Sequence, residues 1–165
     1  MFNLHCTKKL LDRIKPDVKG AVDVTTILGD WYATALFWKP QLALLVNERT
    51  LLPVVMSLAP AKSLAQRFPN ALEQVLLALD IDPVKVNSEL EKMGQVTYCK
   101  ASNRSVLGIM NQFTFQAESY RDHFGLVDTL ALSVKLAGTP CSPLYKGAIC
   151  PDLAVREVMA EGVFH

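Results

Sequence analysis

Apolar residues gather in short runs along the first half of the chain and recur at helical spacing along the second. Residues 2–6 read as a short strand. Thr7 is placed to cap a helix over 8–15, with Leu10, Leu11 and Ile14 on one face and Pro16, Asp17 and Gly20 at its end. Residues 17–26 form a connection, with extended backbone expected around Val22 to Ile27. Next comes Leu28-Gly29-Asp30-Trp31-Tyr32-Ala33, whose period is ambiguous. Asp30 can cap a short helix, or Gly29-Asp30 can turn into a strand carrying Trp31, Ala33, Ala35 and Phe37. The strand is the preferred reading. After a turn at Lys39-Pro40, residues 41–46 and 51–57 flank the polar tip Asn47-Glu48-Arg49-Thr50, a hairpin signature. Pro53 in the second arm places that arm at a sheet edge, or turns its nitrogen outward.

From Ala61 onward the period becomes helical. Leu64, Phe68, Leu72, Val75, Leu76 and Leu79 mark one helix, with a break expected at Pro69. Asp82-Pro83 starts a second, striped by Val86, Leu90 and Met93 and closed by Gly94. Residues 95–100 read as a strand. Ser102-Asn103-Arg104-Ser105 caps a long helix to about Asp122, buried through Val106, Leu107, Met110, Phe113, Thr114 and Ala117. Gly125 separates it from a helix over 127–136, and Pro151 opens a last short one. These elements predict one α+β domain over 1–165: a small, largely antiparallel sheet with a central β-hairpin (41–57), and helices packed against it, the helix-rich second half covering one sheet face.

Composition narrows the classes. The chain has 165 residues, 50% hydrophobic and 20% charged, with a net charge of +1, which excludes a disordered chain and a broadly basic nucleic-acid coat. The N-terminus lacks an apolar core of signal-peptide length, and no apolar run is long enough to span a bilayer, so a soluble cytoplasmic protein is expected. Cys6, Cys99, Cys141 and Cys150 are sparse and read as reduced thiols. With His5, His123 and His165 scattered and no Cys-x-x-Cys, neither a metal nor a cofactor is expected.

Four blocks carry a resemblance: Cys6-Thr7-Lys8-Lys9-Leu10-Leu11, Leu28-Gly29-Asp30-Trp31-Tyr32-Ala33, Val46-Asn47-Glu48-Arg49-Thr50-Leu51-Leu52-Pro53, and Asn103-Arg104-Ser105-Val106-Leu107-Gly108-Ile109-Met110-Asn111. In this order, from near residue 4 to about 143, the chain resembles an uncharacterised bacterial family, a domain of unknown function. The resemblance implies a bacterial or bacterial-element origin. It implies no activity, cofactor or catalytic residue.

Phosphate-loop, dinucleotide, metalloprotease and nucleophile-elbow motifs are all missing. His123 reads as a surface residue near a helix C-terminus. Five constellations are left. Asn103, Arg104 and Ser105 at a helix N-terminus suit a phosphate or carboxylate, or form a plain cap. Asn47 and Arg49 at the hairpin tip reach for a partner, or shape a polar turn with Arg49 paired to an acid such as Glu48. Lys8 and Lys9, with Arg13, Lys15 and Lys19 against Asp12 and Asp17, give residues 1–20 a charge of +3, which steers a polyanion or forms an ordinary solvated face. Trp31 and Trp38, with Asp30 and Tyr32, stack bases or fill the core. Asn111 lies two turns after Arg104 and near the buried stripe, where it either ties the helix to the hairpin backbone or lines a pocket with Arg104.

The leading expectation is a binding or regulatory module for a phosphate-bearing partner, nucleic acid or nucleotide, held by Arg49, Asn103, Arg104 and Asn111 with charge from Lys8 and Lys9. One alternative is a protein-interaction module, a homo-oligomer or partner-bound form built through the edge strand. Another is a nuclease-like or toxin-like enzyme using Arg104, Lys9 and Asp30.

Overall fold

In the computed structural model, which describes residues 1–161, the strands are β1 (Phe2–Cys6), β2 (Trp31–Leu36), β3 (Leu42–Asn47), β4 (Pro53–Ser57) and β5 (Val96–Lys100). They form one sheet in the order β4-β3-β2-β1-β5. The helices are α1 (Lys8–Ile14), α2 (Leu64–Ala78), α3 (Pro83–Glu91), α4 (Arg104–Phe124), α5 (Thr129–Ala137) and α6 (Pro151–Glu161). The expected α+β class is what the structure shows. The β2–β3 and β3–β4 joins are antiparallel, and β1 pairs in parallel with both β2 and β5, so the sheet is mixed. The hairpin forms one side of the sheet and β2 takes its centre. His165 lies outside the described residues.

Side-chain alternation sends apolar groups from the strands to two cores. On one face Phe2, Leu4, Trp31, Ala33, Leu45 and Val54 meet α1, α2, α3 and α6. On the other, Tyr32, Leu36, Leu44 and Val46 meet α4 and α5. The helix-rich second half therefore covers both faces, where it was expected to cover one. The reason lies in β2 and β3, which are buried along their whole length and need cover on each side.

Local expectations fare differently. Asp82 caps α3 through its side chain, accepting from the Val84 amide at 2.9 Å. Thr7 occupies the cap position of α1, but its hydroxyl pairs with that of Thr34 at 2.8 Å and bonds no helix amide. α2 continues through Pro69 because Leu64, Phe68, Leu72 and Val75 bury one continuous face. Trp31 is wholly buried, edge-on to Phe68 at 4.8 Å. Trp38 is half-buried with the Arg121 guanidinium 4.2 Å from its ring centre. Neither indole is an open stacking platform.

The edge position of β4 is as Pro53 implied, but the edge is not bare. α5 lies along it and feeds both cores, and the Ser133 hydroxyl accepts from the Val55 amide at 2.8 Å while donating to the Thr129 carbonyl at 2.7 Å. At the other edge, Val18 bridges Tyr98 and the Lys19 amide donates to the Tyr98 carbonyl at 2.9 Å. Among the described residues, no helix is long and apolar enough to cross a membrane.

The expected extended stretch around Val22 to Ile27 forms no strand. Side chains from elsewhere satisfy its end. Fully buried Glu89 of α3 accepts from the amides of Ile27 at 2.7 Å and Leu28 at 2.9 Å. Burial pushes the Glu89 carboxyl pKa up, and the two amides oppose that shift only in part. A folded-state value above the unfolded one means that protonation favours the fold. This contribution is complete below the unfolded value and is lost as pH rises through the folded one. The advantage of wild type over Glu89→Gln, read from urea unfolding midpoints, is therefore expected to be largest at the acid end of the carboxylate range and to shrink towards neutrality. Glu89→Ala strands the buried Leu28 amide and the part-buried Ile27 amide, and the buried one alone is expected to cost about 1–3 kcal/mol.

Candidate functional site

The hairpin tip and the N-terminus of α4 meet through Glu48 and Asn103. Asn103 caps α4 by accepting from the amides of Ser105 at 3.0 Å and Val106 at 3.3 Å. Its own amide group donates to Glu48 Oε1 at 3.2 Å. The negative charge that favours a helix N-terminus is thus supplied by the protein itself. Arg104 and Ser105 are exposed on the first turn. Asn111, expected near the buried stripe, is also exposed, because the turn between them buries Val106, Ile109 and Met110 instead. Arg104 and Asn111 share a solvent-exposed face of α4.

Asn47 does not project from the tip. It is completely buried, donating to the carbonyls of Leu28 at 2.9 Å and Asp30 at 3.2 Å. Its oxygen accepts from the amides of Arg49 at 3.1 Å and Thr50 at 2.8 Å. Its role is to shape the turn. Arg49 is exposed, with its guanidinium 3.4 Å from the Ile27 carbonyl. Lys8 and Lys9 lie exposed on the first turn of α1.

Among the described residues, two arrangements gather charged groups in a way that suits a ligand. The first is an acidic knot. His5 Nε2 lies 2.9 Å from Asp30 Oδ2, and Asn3 donates to Asp30 Oδ1 at 3.0 Å. Asn3 is itself clamped on both atoms by the Val22 backbone, at 2.8 and 3.1 Å. The Glu48 amide donates to the Asp30 carbonyl at 3.0 Å, which brings its carboxylate to the same place. One donor atom each from His5, Asp30 and Glu48 falls within 4.8 Å of the others. The Tyr32 ring stacks on His5 at 4.6 Å and 16°, and its hydroxyl accepts from the Asn103 amide at 3.2 Å. Burial raises the Tyr32 phenol pKa, opposed by the Asn103 amide and reinforced by Glu48. Burial, followed by the charge on Asp30, raises that of the nearby Cys99 thiol.

The second is a basic cavity of about 480 Å³ on the opposite face of the sheet, where Lys15, Lys19, Lys62, Gln66 and Tyr98 converge. Lys15 ends α1 in the left-handed conformation (φ 52°), with its amide bonded to the Leu11 carbonyl. Lys19 is fixed by its backbone bond to β5. Asp17, the one acid there, sits 3.8 Å from Lys19, and both side chains are largely in solvent. Among the described residues, Lys15 and Lys62 have no ion pair.

In the sequence Lys15 and Lys19 belong to a basic stretch, while Lys62, Gln66 and Tyr98 come from other segments and carry no local sign of a shared site. His5 stands in the sequence as an isolated histidine. The available signal was Asn3-x-His5, two polar residues on one face of a strand whose other face is apolar.

A family model described as "Domain of unknown function (DUF6933)" matches residues 3–154. No curated protein and no solved structure matches the chain.

The different duties of two adjacent residues are testable by chemical denaturation. Asn103→Ala removes a cap and is expected to cost about 1 kcal/mol. Arg104→Ala, on the open face, is expected to stay within about 0.5 kcal/mol of wild type.

Proposed function

We propose, from the premise that the chain belongs to the domain-of-unknown-function family DUF6933, that it is a binding module for a small phosphate-bearing ligand of nucleotide size, seated in the basic cavity. The observation that carries this reading is the set of three lysines around one hollow, two of them without an ion pair among the described residues. The three lysines are exposed around the hollow and give it a positive charge that attracts an anion. Ammonium groups are compact charges that suit phosphate oxygens. The volume falls within the range of small-molecule sites, and Tyr98 with Ile14 and Val96 supplies an apolar wall for the rest of such a ligand. This reading keeps the phosphate-bearing partner expected from the sequence and moves its site from Arg104 and Arg49 to Lys15, Lys19 and Lys62.

Adenosine monophosphate, pyrophosphate and a short single-stranded oligonucleotide serve as probes, titrated at low and moderate salt. Saturable, salt-sensitive binding of one of the two small anions is expected. Lys15→Asn with Lys62→Ala should weaken it at least tenfold, asparagine being chosen because it tolerates the left-handed backbone. Arg104→Ala should leave affinity unchanged. Absence of saturable binding by the small anions, or equal affinity in the lysine variant, overturns the proposal. Binding of the oligonucleotide alone shifts the reading to nucleic acid.

A further inference from the structure

We infer that His5, Asp30 and Glu48 form a binding site for a divalent metal ion of the manganese or zinc type. The inference is independent of the basic cavity: Val96 and Tyr98, which line that cavity, pair in register with Phe2 and Leu4, whereas His5 points to the other face of β1.

The donors come from three separate elements: strand β1, the residue before β2, and the β3–β4 turn. One imidazole nitrogen and two carboxylates lie within 4.8 Å of one another. Without a cation, two carboxylates at this separation repel. His5 is only 9% exposed and the Asp30 side chain 22%, so water screens them incompletely. The 2.9 Å between His5 Nε2 and Asp30 Oδ2 also fits a shared ion. Two ligands each about 2.1 Å from a metal and at right angles to each other stand about 3.0 Å apart.

Each ligand is further held by a neighbour that leaves a donor atom available. Asn3 takes Asp30 Oδ1, so Oδ2 faces His5. Asn103 takes Glu48 Oε1, leaving the second oxygen for the ion. Tyr32 stacks flat on the imidazole and fixes its plane. Partners of this kind set ligand orientation in metal sites and affect affinity nearly as much as the ligands do. A mixed nitrogen and oxygen set suits manganese or zinc better than calcium or magnesium, which prefer oxygen alone. Three protein ligands leave positions for water or substrate.

The full chain, freed of metal by chelator and dialysis, is titrated with manganese(II) and followed by electron paramagnetic resonance. Manganese is chosen because thiols compete poorly for it. One ion per chain is expected, with nitrogen coupling in the pulsed spectrum and a raised melting temperature. Glu48→Gln, at the partly exposed turn, should keep the fold and weaken binding at least tenfold. Asp30→Asn should weaken it further, and His5→Gln should abolish the nitrogen coupling. Asp12→Asn, an exposed acid of α1 outside both sites, should leave manganese affinity unchanged. Absence of stoichiometric manganese binding, or affinity unchanged in both Glu48→Gln and Asp30→Asn, overturns the inference. Neither result bears on phosphate binding by the lysines.

Discussion

The segment from Ile27 to Asp30 is the point on which the architecture turns. It leads the chain into the central strand while forming no regular structure, so its buried backbone groups need partners from elsewhere. Glu89 takes the two amides, Asn47 takes the carbonyls of Leu28 and Asp30, and the Glu48 amide bonds to Asp30 as well. Both side chains are fully buried, and each replaces a ladder that the backbone alone does not make. The result ties α3, the hairpin turn and the start of β2 into one unit and fixes where Asp30 stands beside His5.

The elements themselves were largely legible. Five strands and six helices follow from period, caps and breakers, and Asp82 and Asn103 cap as expected. Proline punctuation was less reliable: Pro69 sits inside α2, since the continuous face it interrupts locally outweighs one missing amide bond. Side-chain destinations were less legible still. Asn47 and Arg49 are neighbours at a polar tip, and nothing local distinguishes a buried strut from a solvent-facing residue. The distinction comes from the Ile27–Asp30 backbone, whose path depends on α3. The same holds for Asn111, whose placement on α4 depends on which side the sheet lies.

Strand β1 organises the charge of the molecule. Phe2, Leu4 and Cys6 enter one core, while Asn3 and His5 turn to the other face, where the α4 side of the molecule meets Asp30 and Glu48. The lysines gather across the sheet, on the α1 side of β5. A near-neutral chain thus places one acidic cluster and one basic cavity on opposite faces of the sheet, and a net charge of +1 reports neither.

The arrangement of α5 along β4 has a consequence for biosynthesis. Strands β1 to β4 leave the ribosome well before residues 129–137 are made, so a nascent chain carries an open strand until α5 arrives. Pro53, lacking an amide hydrogen, blunts one position, and Val55 must wait for the Ser133 hydroxyl. A stalled or prematurely terminated product that ends before α5 would present this strand to other copies of itself, and chaperones are most needed during that interval.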